Sequence, residues 1–188
     1  MHSVLRSVVV TAAFVGAAVV PTGTASATGS GPAAPVSVGF ADSSVTGLSM
    51  ATDAAEGTKT VLESDSAAAV AAANVCGSGY TISVGAARYG TYGTAYAWWN
   101  GEYSGSNTLY DRPICGVFFN DTGAKHYMGV RLKDNYTATA DTQDFGSYST
   151  YAGPVYQDKG YCGSLYSYME DAAGNAVVDN YTSVGTCN

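Results

Sequence analysis

The chain carries little positive charge. Its 188 residues include 8 lysines and arginines against 15 aspartates and glutamates, which gives a formal net charge of −7. A nucleic acid or an anionic membrane is bound through basic residues that replace counterions, and the sequence contains no basic stripe. The composition therefore argues against nucleic acid as a partner.

Signatures of catalysis and metal binding are also missing. The histidines are His2 and His126, and the four cysteines include no C-x-x-C pair. A catalytic triad would have to use His126. This histidine lies at the start of an expected strand, and the sequence around it contains no nucleophile elbow. Zinc ribbons need closely spaced cysteine pairs. The sequence predicts no catalytic residue, no metal ligand and no cofactor.

Long apolar runs are scarce, and the longest is near the amino terminus. An uncharged segment covers residues 7–20, and Pro21 and the small residues Ala25, Ser26 and Ala27 follow it. The run has about thirteen residues, fewer than the roughly 20 that cross a bilayer as a helix. It predicts a secretory signal peptide over residues 1–27, with an uncleaved anchor as the alternative. The protein is then expected outside the cell, without a transmembrane segment after cleavage.

Aromatic residues are rare before residue 74 and frequent after it. Residues 28–73 are mostly Ala, Ser, Thr, Gly and Val, and Phe40 is the one aromatic among them. Such a segment buries too little apolar surface to offset its ordering entropy. It predicts a disordered, flexible linker or propeptide, in which residues 60–73 could form a short helix. All 15 tyrosines and both tryptophans lie in residues 74–188, where we expect one compact domain.

The pattern after residue 74 is typical of antiparallel β structure. Apolar and polar residues alternate at 80–84 and 127–133, and glycine-rich turns separate such runs. Residues 114–119 are apolar on both faces, as in a central strand that is covered on two sides. The turn at residues 120–123 predicts a hairpin to the next strand. The expected fold is all-β, a single antiparallel β-sandwich or small barrel.

Disulfides are expected in an exported protein with an even number of cysteines. If Gly174 and Asn175 form a two-residue hairpin turn, counting along both strands places Cys162 opposite Cys187 at a spacing that suits a disulfide. The two remaining cysteines would then pair. A β-bulge in either strand would shift this register. The four cysteines are Cys76, Cys115, Cys162 and Cys187.

Two motifs carry a resemblance to a known family. The first is VCGSGY at residues 75–80, and the second is YSTYAGPVY at residues 148–156, followed by Cys162. With its four cysteines in a similar order, the domain at 74–188 resembles the spore-associated protein A family, small secreted proteins of filamentous spore-forming bacteria. The resemblance implies a secreted protein that is associated with the cell or spore surface, and it brings no catalytic residues.

We predict a secreted, non-enzymatic protein that recognises a cell-wall or spore-surface component through aromatic patches, because such side chains give contact area at low entropic cost. Trp98 and Trp99 point to opposite faces of a strand, so one could be exposed. Alternatively, both are covered, one of them by the loop at residues 101–107. The tyrosines of the second motif either contribute to a binding surface or cover the edge of the core. The candidate surface comprises Tyr92, Tyr96, Trp98, Trp99, Tyr103, Tyr148, Tyr151 and Tyr156.

Two other functions are compatible with the sequence. A small disulfide-braced domain could inhibit an extracellular hydrolase with a rigid loop at residues 101–112. A wall-active glycoside hydrolase would need a carboxylate pair, such as Glu102 with Asp111 or Glu170 with Asp171. Oxygen ligands could also gather around calcium in one loop, although such residues are common in turns. That loop contains Asp134, Asn135, Asp141 and Asp144.

Overall fold

The computed structural model describes residues 47–105, 108–135 and 138–187, together with the backbone of Val36–Ser37. The predicted signal peptide at residues 1–27 lies outside this part of the chain. No helix among the described residues is long and apolar enough to span a bilayer.

The fold is all-β with two sheets, which confirms the predicted class. Two helices, α1 Thr58–Ser64 and α2 Ser66–Cys76, precede the main strands, and a 3-10 turn covers Leu109–Asp111. The strands are β1 Val36–Ser37, β2 Ser49–Met50, β3 Ile82–Tyr89, β4 Gly93–Trp99, β5 Ile114–Asn120, β6 His126–Lys133, β7 Thr142–Tyr148, β8 Tyr151–Gln157, β9 Ser164–Glu170 and β10 Ala176–Ser183.

The two sheets share one apolar core. The larger sheet has the strand order β1-β2-β3-β4-β5-β8, and the smaller sheet has the order β10-β9-β6-β7. On β6 the alternating residues Met128, Val130 and Leu132 are fully buried in this core, as the sequence pattern predicted. The residues between them therefore face outward from the smaller sheet.

The turn at residues 120–123 connects the two sheets, so the predicted hairpin is wrong. β5 pairs with β4 and β8, whereas β6 pairs with β7 and β9. Because β5 already has a partner on each edge, no edge is free for β6. The Asn120 side chain holds the crossing by donating from Nδ2 to the carbonyl oxygens of Ala124 at 2.7 Å and Tyr148 at 3.2 Å.

The described part of the expected linker, residues 47–73, is folded, which differs from the expectation of a flexible segment. The helix that was expected within residues 60–73 forms as the two helices α1 and α2, which pack on the outer face of the larger sheet. An isolated alanine-rich helix of this length is marginal in water, so its composition alone does not predict order. Packing against the sheet supplies the stabilisation. The buried residues of this contact include Leu62, Ala69, Ala72, Tyr96, Trp98 and Val117.

Both predicted disulfides are present. The Cα atoms are 5.9 Å apart in Cys76–Cys115 and 5.6 Å apart in Cys162–Cys187. The strand register differs from the one that predicted them, because residues 171–175 form the β9–β10 connection and a bulge follows it in β10. Cys162 and Cys187 still meet because they lie beyond the end of the ladder, where the Cys162 amide donates to the carbonyl of Val184 at 2.8 Å.

Candidate functional site

Neither tryptophan is exposed. Trp98 is fully buried beneath the helices, with the ring of Tyr96 stacked 6.4 Å away. Trp99 points into the core between the sheets and is 6% exposed. Its Nε1 donates to the carbonyl of Glu102 at 2.7 Å, and the ring of Tyr103 packs edge-on at 5.4 Å. The expectation of an exposed tryptophan is wrong, and the alternative that both are covered is confirmed.

The other predicted tyrosines do not form one surface. Tyr92, in the turn between β3 and β4, is 41% exposed, and Tyr156, on the edge strand β8, is 42% exposed. Tyr148 and Tyr151 are half-buried. The Tyr156 hydroxyl donates to the carbonyl of Cys76 at 3.0 Å, which ties the edge strand to the end of α2. The tyrosines of the second motif therefore brace the fold at separate places.

A different set of aromatic residues lies together on the outer face of the smaller sheet. Tyr127 and Tyr181 are 45% and 59% exposed, and the other three members are half-buried. The register explains the grouping: Phe145 and Tyr168 flank Gly129 at one level of the sheet, and Tyr166 and Tyr181 lie beside Arg131 at the next. We call this surface the outer aromatic face. Its rings are those of Tyr127, Phe145, Tyr166, Tyr168 and Tyr181.

The rings of the outer aromatic face form a continuous strip. The centroid of Tyr168 is 6.5 Å from that of Tyr127 and 6.4 Å from that of Tyr166, and Tyr166 is 4.7 Å from Tyr181. Phe145 contacts the two central rings at 6.3 and 6.5 Å. Gly129 makes room for it, because a Cβ at that position would lie 2.1 Å from the Phe145 ring. The strip thus depends on a glycine in the middle of β6.

Charged side chains hold the rings in place. The hydroxyl of Tyr166 donates to Oδ1 of Asp179 at 2.8 Å, and that of Tyr168 donates to Oε1 of Glu170 at 2.9 Å. Nη2 of Arg131 donates to the hydroxyl of Tyr181 at 2.8 Å. The same guanidinium lies 4.8 Å from the centre of the Tyr166 ring, which is a cation–π distance. The surface therefore combines fixed rings with charged groups between them.

Two phenols of the strip, those of Tyr166 and Tyr168, have a raised pKa. Burial, followed by the hydrogen bond to Asp179, raises the pKa of Tyr166 to about 12. The hydrogen bond to Glu170 is the main cause that raises the pKa of Tyr168. Both effects favour the neutral phenol, because a phenolate would lose its hydrogen bond and face a carboxylate. Tyr166 and Tyr168 therefore add no charge to the surface at neutral pH.

Three of the four carboxylates in the predicted pairs, those of Asp111, Glu170 and Asp171, are engaged in structural contacts. Asp111 is buried and forms an ion pair with Lys159 at 3.1 Å. Glu170 accepts from Tyr168, and Asp171 accepts from backbone amides of the β9–β10 connection. Nδ1 of His126 lies 2.8 Å from the carbonyl of Glu170. These contacts are those of residues that position strands and turns.

The loop considered for calcium does not gather its acidic residues in one place. The carboxylate of Asp144 accepts from the hydroxyl of Tyr148 at 2.6 Å and from the amide of Gly153 at 2.7 Å. Asp141 instead lies 3.6 Å from Arg131. Among residues 47–105, 108–135 and 138–187, no group of three or more His, Cys, Asp or Glu side chains is arranged to hold a metal ion.

Sequence reasoning missed the outer aromatic face. Its signal was present, since Tyr166 and Tyr168 alternate with Leu165, Ser167 and Met169. That alternation shows that the two tyrosines share a face. It does not show which strands lie beside them, and so the neighbouring rings could not be assigned.

Comparison with known proteins bears on the resemblance found in the two motifs. Over 82 residues the chain is 38% identical to a protein of Streptomyces coelicolor. The chain is similar to spore-associated protein A. The aligned segment is 44% of this chain and spans about half of that protein, 47% of its length. The resemblance is thereby confirmed. No protein-family model matches the chain, and no solved structure matches it.

Proposed function

We propose that this protein is a secreted, non-enzymatic component of the cell or spore surface, and that the outer aromatic face is its binding surface. The observation that carries the proposal is the difference between the two sheets. On the outside of the larger sheet Tyr96 and Trp98 are fully buried under α1 and α2, whereas on the smaller sheet five rings form one contiguous face that is partly or largely exposed. Contiguous exposed apolar surface marks interaction sites in soluble proteins.

Several observations support a place at the surface of the cell or spore. The similar protein is named for its association with spores. Two disulfides suit a protein that works in an oxidising compartment. The expected signal peptide at residues 1–27 would deliver the protein there.

The binding role is supported by the chemistry of the accessible side chains. Tyrosine and arginine are the residue types that dominate binding energy at recognition surfaces. The hydrogen bonds to Asp179, Glu170 and Arg131 fix the rings before binding, which lowers the entropy lost on association. Of the carboxylates considered for acid–base chemistry, Glu170 and Asp111 are used in structural bonds.

Retention on natural surfaces tests the proposal. The secreted protein is incubated with intact spores and with purified cell walls of the producing organism, and the bound fraction is measured. A variant with Tyr127→Ala and Tyr181→Ala should bind at least about 30-fold more weakly, which corresponds to about 2 kcal/mol. Tyr92→Ala and Tyr110→Ala are the matched controls, because these tyrosines are also exposed but lie elsewhere.

The control variants should be retained like the wild type, and all variants should show the same melting temperature. Equal retention of the double variant and the wild type would refute the role of the outer aromatic face. If the wild type is retained neither on spores nor on cell walls, the proposed function as a whole is refuted.

A further inference from the structure

We propose that the outer aromatic face binds a neutral polysaccharide, whose chain follows the line of Tyr127, Tyr168, Tyr166 and Tyr181. This inference rests on the proposed function and names the chemical class of the surface component.

The ring arrangement fits a chain of sugars. A pyranose has an apolar C–H face and a rim of hydroxyl groups, and aromatic side chains offer a flat apolar surface with a polar tip. Successive rings along the strip are 6.5, 6.4 and 4.7 Å apart, centroid to centroid. The ring planes of Tyr168 and Tyr166 differ by 26° and those of Tyr166 and Tyr181 by 38°, whereas Tyr127 is edge-on to Tyr168 at 78°. The spacings are comparable to the length of one sugar unit in an extended polysaccharide, so neighbouring units can contact Tyr168, Tyr166 and Tyr181 in turn and reach Tyr127 in a different orientation.

The charged groups between the rings suit a ligand with many hydroxyls. Asp179 and Glu170 each use one carboxylate oxygen for a phenol, and a carboxylate has about four acceptor positions in all. The remaining positions can accept from sugar hydroxyls. Arg131 has five N–H donors; Nη2 donates to the Tyr181 hydroxyl, and Nε lies 3.6 Å from the carboxylate of Asp141. Hydrogen-bond capacity for both donors and acceptors thus remains along the strip.

The charge of this surface disfavours anionic polymers. Asp179 and Glu170 lie among the rings against Arg131, and the whole chain has a formal charge of −7. Single-stranded nucleic acids also stack on aromatic side chains, but their sites are positively charged grooves. The same argument applies to anionic wall polymers, because this face lacks the positive charge that would replace their counterions.

A protein partner fits less well than a polysaccharide. Protein interfaces are enriched in tyrosine and arginine but depleted of aspartate and glutamate, which this face carries as Asp179 and Glu170. On this face Arg131 and Asp179 contact the central ring of Tyr166, so a dry interface would bury charges at a desolvation cost. A hydroxyl-rich ligand leaves those groups hydrogen-bonded.

Binding of defined neutral oligosaccharides tests the inference. Cellohexaose, chitohexaose and laminarihexaose are titrated into the full secreted protein, and binding is followed by calorimetry and by the chemical shifts of the tyrosine rings. At least one probe should bind, with an affinity that changes less than about threefold between low and high salt because no ion pairs form. Tyr181→Ala should weaken binding about tenfold or more, whereas Tyr181→Phe, which retains the ring, should stay within about threefold of wild type. Tyr110→Ala should bind like the wild type.

Treatment of the natural surface separates this inference from the proposed function. Digestion of the walls and spores with a mixture of cellulase, chitinase and laminarinase, which cleave the three probe linkages, should abolish retention, and protease treatment should not. If protease abolishes retention and the glycan digestion does not, the proposed function stands but the ligand is a protein, and the polysaccharide inference is overturned. It is also overturned if none of the three hexasaccharides binds and carbohydrate released from the walls does not compete for retention. Dimerisation of the wild type that is lost in Tyr181→Ala would overturn it in favour of a second copy.

Discussion

Replacement of Leu62 by alanine tests whether α1 is an integral part of the fold. Leu62 is fully buried between the helices and the larger sheet. Leucine-to-alanine changes in cores cost about 2–5 kcal/mol, with the larger costs where neighbours cannot fill the cavity. The neighbours from α2 are Ala69 and Ala72, whose side chains are too short to do so. We therefore expect a loss of about 3 kcal/mol and a fall in Tm of about 10 °C for a domain of this size.

The measurement is urea and thermal unfolding of the oxidised protein, followed by near-ultraviolet circular dichroism. Thr60→Ala is the matched control, because Thr60 lies in the same helix and is exposed. Its effect should stay within about 0.5 kcal/mol of zero, as for most surface substitutions. If Leu62→Ala unfolds at the same urea concentration and temperature as the wild type, the helices do not stabilise the larger sheet. The argument that the helices are what covers Tyr96 and Trp98 on the larger sheet would then fail.

Three further predictions concern other parts of the molecule. Asp53→Ala leaves the buried Arg112 guanidinium without its ion-pair partner 3.1 Å away. We expect the free energy of unfolding in urea to fall by about 1–2 kcal/mol, less than for a fully buried pair because Asp53 is partly exposed. An unchanged urea midpoint would contradict this prediction. Replacing Cys162 and Cys187 together by serine opens a link across 25 residues and should cost about 3.5 kcal/mol, so a loss below about 1 kcal/mol would speak against the chain-entropy account. The pKa of Tyr166 is raised from 10.0 to about 12, so the stability that this group contributes is complete below pH 10.0 and is lost as the pH rises through about 12. The Tyr166→Phe variant should therefore lose less stability than the wild type over that pH interval. An identical loss in both proteins would rule out this tyrosine as the cause.

Strand identity was predictable because it depends on local alternation. Met128, Val130 and Leu132 are buried on one side of β6, as their spacing indicated. The order of the strands in the two sheets could not be predicted in the same way. The turn after β5 was interpreted as a hairpin, and only the pairing of β5 on both edges shows that the chain must cross to the other sheet. Turn residues report a change of direction, but they do not report which edge of a sheet is free.

The disulfides illustrate the same limit. The pairing of Cys162 with Cys187 was correct, whereas the register from which it was deduced was not. The prediction survived because any hairpin between β9 and β10 brings the two cysteines close together, even when the turn is longer and a bulge is added. Tyr168 faces Asp179 across that ladder, a detail that a one-residue change in the turn or bulge would alter.

By itself, the sequence determined the all-β class, the faces of individual strands such as β6, and the existence of two disulfides. These properties follow from the two-residue period of a strand and from the chemistry of thiols in an oxidising compartment. Only the tertiary structure decided that Tyr96 and Trp98 are buried while Tyr166 and Tyr181 lie together on the outer aromatic face. The physical reason is that the exposure of a residue depends on what covers it. The helices α1 and α2 cover the outer face of the larger sheet, and the composition of that segment alone does not predict that it folds.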